Sequence, residues 1–335
     1  MADQSESLAR DALQSALGAG IILEDQLLGG GMSTVYRARD VALNRLVVVK
    51  VLPAELAAAV SVERFRREIL VSAALQHPHI VPVLSAGEID GLPYFVMPFI
   101  DGESLRTRLT RGPLAVREAV AILKDVARAL SYAHTNDVVH RDIKPDNILL
   151  TGGSAVVTDF GVAKALQASR ASRRQGHISG AHGAAMTASG IAIGTPAYMA
   201  PEQAAGDPNT DHRADLYALG IVAWEMMTGA APFHGLSPQQ VMASHVIRTP
   251  PGVTTRRYDV PRAFAAVIDH LLQKEPRDRP RYAADVVRAL EDPAVLSGEF
   301  GGRPAGAWRR ARRFALGGAA ITLALALLSY LLLRE

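Results

Sequence analysis

His140-Arg141-Asp142-Ile143-Lys144-Pro145-Asp146-Asn147-Ile148-Leu149 is the stretch on which the reading of this chain turns. Phosphoryl transfer leaves a protein little covalent work. It needs a carboxylate beside the attacking hydroxyl, cations on the phosphates and oxygen ligands for a divalent metal. Asp142 can accept from a hydroxyl, Lys144 can reach a transferring phosphate, and Asn147 can offer a metal a neutral oxygen. Asp159, in Asp159-Phe160-Gly161, adds a second carboxylate, a hard ligand suited to Mg²⁺. Taken singly, each aspartate reads more readily as an ordinary turn residue; chance rarely supplies all of these identities in this order.

Upstream, Gly29-Gly30-Gly31-Met32-Ser33-Thr34-Val35 would let backbone N–H groups approach phosphates, since glycine adds no Cβ. A plain hairpin turn fits the same glycines. One strand later, Val47-Val48-Val49-Lys50 sets a lysine inside an apolar run, where it needs an anionic partner. Glu68 is available on the following helix, although an edge-strand lysine and a solvated glutamate remain open as alternatives.

Working outward, residues 1–20 read as a helical lead-in without the apolar core of a signal peptide. Strands are expected over 21–28, 33–40, 45–51, 81–89 and 93–99, with a turn at Asp90-Gly91 and a helix over 61–76. Beyond Asp101-Gly102 the periodicity becomes helical, at 116–136, 214–229 and 262–274. The Gly/Ser/Arg/His stretch 167–190 reads as a mobile loop, and 293–313 as a basic juxtamembrane linker.

Residues 314–333 (FALGGAAITLALALLSYLLL) carry no charge, and about 20 such residues cross ~30 Å of hydrocarbon. Trp308-Arg309-Arg310-Ala311-Arg312-Arg313 precede them, so the positive-inside bias places the N-terminal body in the cytoplasm and the C-terminus outside. The expected localisation is a single-pass cell-membrane protein. With only Arg334-Glu335 after the span, no extracytoplasmic sensor is expected, and a signal would arrive from the cytoplasm, the bilayer or clustering.

Hydrophobic residues make up 49% of the 335, enough for a sizeable core. The absence of cysteine excludes disulfides, thiolate catalysis and Cys-ligated metal. A net charge of +3 gives no reason to expect a nucleic-acid partner.

From about Leu23 to Leu290 the chain resembles eukaryotic-like protein kinase domains, and most closely those of bacterial receptor-type serine/threonine kinases. The resemblance rests on the Gly-rich loop through Tyr36, Lys50, Glu68, His140–Asn147, Asp159-Phe160-Gly161 and Gly194-Thr195-Pro196-Ala197-Tyr198-Met199-Ala200-Pro201-Glu202. Asp215, Gly220 and Arg279 extend it. It implies an α+β, two-lobed fold over 21–292, with a small lobe of strands and one main helix (about 21–101) and a larger helical lobe (about 102–292). It also implies ATP with Mg²⁺ (or Mn²⁺) and transfer of the γ-phosphoryl group to Ser/Thr hydroxyls of proteins.

By the same resemblance, Lys50 holds the α/β-phosphates and pairs with Glu68. Asp142 is the base, Lys144 the γ-phosphate contact, and Asn147 and Asp159 are the metal ligands. Met97 resembles the gatekeeper, with the backbone of Pro98 and Ile100 facing adenine. Leu27, Val35, Val48 and Leu149 are expected around the ring, the loop Leu28–Thr34 over the phosphates, and Glu202 on Arg279. Thr187 and Ser189 stand where relatives autophosphorylate, with Arg141 as the cation for a loop phosphate; Ser169 and Ser172 are further candidates. A homodimer through the small lobe is a partner some relatives use. The loop departs from G-x-G-x-x-G, because Leu28 and Ser33 stand at its first and third glycine positions and only Gly30 is kept. Val48 narrows the adenine pocket relative to the usual alanine.

Two other readings compete. A non-catalytic pseudokinase scaffold at the membrane is favoured only by the altered loop. A small-molecule phosphotransferase is disfavoured by Thr195 and the long segment between Asp159 and Glu202.

Overall fold

The computed structural model describes residues 2–27, 33–52, 71–89, 91–160 and 196–299. Helix α1 (Ala2–Leu17) leads into strands β1 (Ile21–Leu27), β2 (Thr34–Asp40) and β3 (Arg45–Val51), followed by β4 (Ser85–Ile89) and β5 (Leu92–Pro98). They form one antiparallel sheet in the order β1-β2-β3-β5-β4. Period-2 alternation sorts the side chains between its faces. Tyr36, Ala38, Val47, Val49 and Val96 pack with Leu13 of α1 on one face. Gln14 ties α1 down by donating to the Ile21 carbonyl (2.9 Å) and accepting from the Leu23 N–H (2.8 Å). The lead-in helix is therefore part of the small lobe's core.

The larger lobe begins with β6 (Glu103–Ser104), α2 (Leu105–Leu109) and α3 (Val116–Thr135), then a second sheet of β6 with β7 (Ile148–Thr151) and β8 (Ser154–Val157). Helices α4 (Pro201–Ala205), α5 (Arg213–Thr228), α6 (Pro238–Ile247), α7 (Val253–Arg256), α8 (Arg262–Leu271), α9 (Ala283–Glu291) and α10 (Ala294–Ser297) complete it. Every residue of α5 from Ala214 to Met227 is buried, as befits a helix apolar on all sides. Gly220 permits this, because a Cβ there would lie 2.8 Å from Leu271 Cβ.

Three expectations need correction. The run 81–84 is not strand: buried Val81 donates to the Val157 carbonyl of β8 (2.9 Å) and exposed Leu84 to the Val96 carbonyl of β5 (2.8 Å), so the stretch bridges two sheets without joining either ladder. The third long helix ends at Leu271, short of 274. The linker expected from 293 starts with the turn of α10, whose Val295 is buried in the main core. The helix expected over 61–76 falls mostly outside the described residues, of which 71–73 are helical. Among the described residues no helix is long and apolar enough to cross a membrane, and 314–333 lies outside them.

Candidate active site

Arg141 takes a left-handed conformation, Lys144 is extended, and Pro145–Asn147 form a single 3-10 turn leading into β7. Ile143, Pro145 and Asn147 are buried, Asp142 and Lys144 are half-buried, and Asp146 is exposed. Lys144 Nζ donates to Asp142 Oδ2 at 2.7 Å. Asn147 Nδ2 donates to the Asp142 carbonyl (2.8 Å) and to its Oδ2 (3.1 Å). The β7–β8 register pairs Ile148 with Val157, and the Thr158 N–H reaches the Asn147 carbonyl (3.0 Å), which brings Asp159 to the same spot.

A buried carboxylate holds this loop from below. Asp215, on α5, accepts from the N–H groups of His140 (2.8 Å) and Arg141 (2.6 Å) and from His134 Nε2 (2.9 Å). Burial alone would raise its pKa; hydrogen bonding to His134 and the two nearby histidines more than offset this and hold it below the usual carboxylate range. His140 in turn donates through Nε2 to the Thr158 carbonyl (2.9 Å), linking the loop to the segment that carries Asp159.

Lys50 Nζ donates to Asp159 Oδ2 at 2.6 Å, with both side chains largely buried. Burial pushes the Asp159 carboxyl up, but the Lys50 ammonium overrides it and the pKa is held low. The other oxygen, Oδ1, is buried without a hydrogen-bond partner. The ladder pairs Leu27 with Val35, Val35 with Lys50 and Val48 with Met97. Directly paired residues share a face, as do residues two apart, so all five expected nucleotide contacts lie opposite the α1-covered face. Met97 Sδ accepts from Thr158 Oγ1 (3.4 Å), joining the strand to the Asp159 segment. Pro98 ends β5 opposite Val47, and the next N–H, of Phe99, donates to the Leu46 carbonyl (3.2 Å). Ile100 follows outside the ladder, and Leu149 lies on β7.

The expected Glu202–Arg279 pair is made, buried and bidentate, at 2.6 and 2.7 Å. Arg279 also donates to the carbonyls of Gln273, Lys274 and Arg213. Sequence reasoning missed a neighbouring cluster. Tyr198 Oη donates to Glu225 (2.5 Å), Arg106 donates to both, and Arg106 also lies 3.4 Å from Asp146. No local pattern joins residues 106, 198 and 225; only an apolar helix carrying Glu225 signalled that this charge needs a partner.

Several expected site residues lie outside the described residues: Leu28, Gly29, Gly30, Gly31 and Met32 of the loop, Glu68, Gly161, Thr187, Ser189 and Thr195. Ser33 and Thr34 stand at the entry to β2.

Two lobes meeting at a Lys–Asp pair beside an Asp–Lys–Asn loop define the protein kinase class, and residues 23–290 match the protein kinase domain family, to which this chain belongs. Among characterised relatives, it is 42% identical over 281 residues to the serine/threonine-protein kinase PknB of Mycolicibacterium smegmatis, covering 80% of this chain and 43% of that protein. It is 41% identical over 269 residues to the Mycobacterium tuberculosis PknB, covering 78% and 41%. The chain thus spans less than half the length of these relatives. Among solved structures, the M. tuberculosis PknI kinase domain superposes with a TM-score of 0.62 at 29% identity, covering 82% of this chain and 95% of that one.

Proposed function

We propose that the chain is an ATP-dependent serine/threonine protein kinase with an intact catalytic set. The observation that carries this is a pair of contact sets, Lys50 on Asp159 (2.6 Å) and Lys144 and Asn147 on Asp142 (2.7 and 3.1 Å), held together by the Thr158 N–H on the Asn147 carbonyl (3.0 Å). Asp142 is half-buried, and its carboxylate can receive a Ser or Thr hydroxyl proton and orient the oxygen for in-line attack. Lys144, held on Asp142, supplies the cation for the transferring phosphoryl. Lys50 presents its ammonium to the ATP phosphates from the sheet face shared by Leu27, Val35, Val48 and Met97, whose apolar side chains suit a purine.

The donor set fits a divalent cation. Asp159 keeps a buried carboxylate oxygen without a donor, and Asn147, bound to Asp142 through its amide nitrogen, has its side-chain carbonyl for a metal. With one carboxylate and one amide oxygen from the protein, Mg²⁺ (or Mn²⁺) would take its remaining ligands from phosphate and water. Bound metal would supply charge neutralisation on the phosphates.

The same reading includes a membrane anchor at 314–333 with the kinase on the cytoplasmic side, supported by its uncharged length and the arginines before it. It also includes autophosphorylation at Thr187 and Ser189 in the segment between Asp159 and Glu202. Incubation with γ-labelled ATP, Mg²⁺ and a protein acceptor, followed by acid hydrolysis, tests the assignment. The expectation is label on phosphoserine and phosphothreonine, with Thr187 or Ser189 among the self-modified positions. Label on a small molecule only, or none, contradicts it.

A further inference from the structure

Lys274 lies just beyond α8, partly buried, and its placement is costly. The described residues bring no carboxylate to it, and Arg279 stands nearby as a like charge. Burial followed by Arg279 lowers its pKa to about 8. Its ammonium instead donates to Tyr217 Oη (3.1 Å) and to the His245 carbonyl (2.7 Å), and it rests against the Phe233 ring (5.7 Å). Tyr217 Oη is 3.0 Å from His245 Nδ1, and His245 Nε2 is 3.1 Å from the Ala197 carbonyl. Tyr217 and His245 are both fully buried.

The chemistry of these atoms sets a direction. A carbonyl only accepts, so His245 Nε2 carries the proton, Nδ1 accepts, and Tyr217 must donate to it. Tyr217 Oη then accepts from Lys274, which has no accepting lone pair while charged. Every bond therefore points from the Lys274 cation to the Ala197 carbonyl. His245 stays neutral in this arrangement, in keeping with a pKa pushed by burial, and then by Lys274, down to about 4. The chain of contacts also closes on itself: the Lys274 carbonyl accepts from Arg279, which pairs with Glu202 in the same segment as Ala197. Aligned donors in a low-dielectric interior polarise one another, so the terminal bond is stronger than an isolated one.

We infer that Lys274, Tyr217 and His245 form a positioning relay that fixes the Ala197 carbonyl, and with it the turn Pro196–Tyr198 that ends the segment receiving the protein substrate. These residues touch neither ATP nor the reacting atoms; they act through the backbone of that segment. The inference rests on the kinase reading for the role of the segment, whereas the relay itself is a matter of geometry.

The test uses the full chain with Tyr217→Phe, Lys274→Met and the double variant. Tyr217→Phe keeps the ring and removes only the hydroxyl, which guards against a simple folding failure. Loss of one hydrogen bond of about 1.4 kcal/mol predicts about tenfold faster amide exchange over 196–200 in either variant, with exchange in α3 unchanged. With myelin basic protein as acceptor, KM for the acceptor rises about tenfold while fluorescent-nucleotide affinity stays at the wild-type value. Because both changes cut one relay, the double variant behaves like the singles. Unchanged exchange over 196–200, a lowered Tm with an unchanged acceptor KM, or additive effects in the double variant would overturn the relay. If wild-type protein transfers no phosphate, the kinase reading fails, and the exchange measurement still decides the relay.

Discussion

Asp159 adopts φ 68° and Arg141 φ 67°, a left-handed conformation uncommon for residues with a side chain. Strain of this kind persists where surrounding contacts over-determine it. Here Arg141 N–H is fixed by Asp215, and Asp159 is gripped by Lys50. The result aims two carboxylates at one place. Lys50 keeps Asp159 ionised against the effect of burial, so removing the ammonium should let burial dominate. In Lys50→Met, the Asp159 carboxyl should titrate at higher pH than in wild type, followed by ¹³C NMR of labelled aspartate, and ATP affinity should fall at least tenfold. An unchanged Asp159 titration would mean that other groups hold it ionised.

At the scale of elements, α5 organises the large lobe. It presents Asp215 to the catalytic loop, Tyr217 to α6 and Glu225 to the Tyr198–Arg106 cluster. The strands and long helices were readable because their patterns are local: Val47-Val48-Val49-Lys50 is a short apolar run, and it folds as a strand whose valines are buried on both faces. The polar contacts of α5 were not readable, because Arg106, Tyr198 and Glu225 are far apart in the chain and no spacing rule connects them. The run 81–84 misled for a related reason: its ends bond to two different strands, Val81 to β8 and Leu84 to β5, and no local pattern distinguishes such a bridge from a strand. The buried Glu202–Arg279 pair joins α4 to the lobe. Arg279→Ala would leave Glu202 buried without its cation and should cost about 3–5 kcal/mol in urea unfolding. Changing both, to Glu202→Gln and Arg279→Met, should cost less than Arg279→Ala alone. A double variant as unstable as the sum of the singles would show that the two residues act separately.

For the whole molecule, the buried groups predict an asymmetric pH dependence of stability. His245 ordinarily titrates at 6.5 but in the fold only at about 4, so between these values the unfolded chain binds the proton and the folded one does not. Its contribution is complete above pH 6.5 and is lost as the pH falls toward 4, on the order of 3 kcal/mol in all. The groups facing it are Tyr217, Lys274 and Phe233. Asp159 and Asp215, both held low, add a further loss only below their ordinary value of 3.8. Urea midpoints of wild type and His245→Gln should therefore differ most at pH 7 and converge by pH 4; a constant gap would contradict this. Single-turnover transfer from γ-labelled ATP to protein, in wild type and Asp142→Asn, measures whether Asp142 carries the chemistry. A catalytic base at Asp142 requires transfer by wild type and a loss of at least about a hundredfold in Asp142→Asn with nucleotide affinity retained. Equal transfer by both, or none by wild type that binds ATP and Mg²⁺, would contradict it.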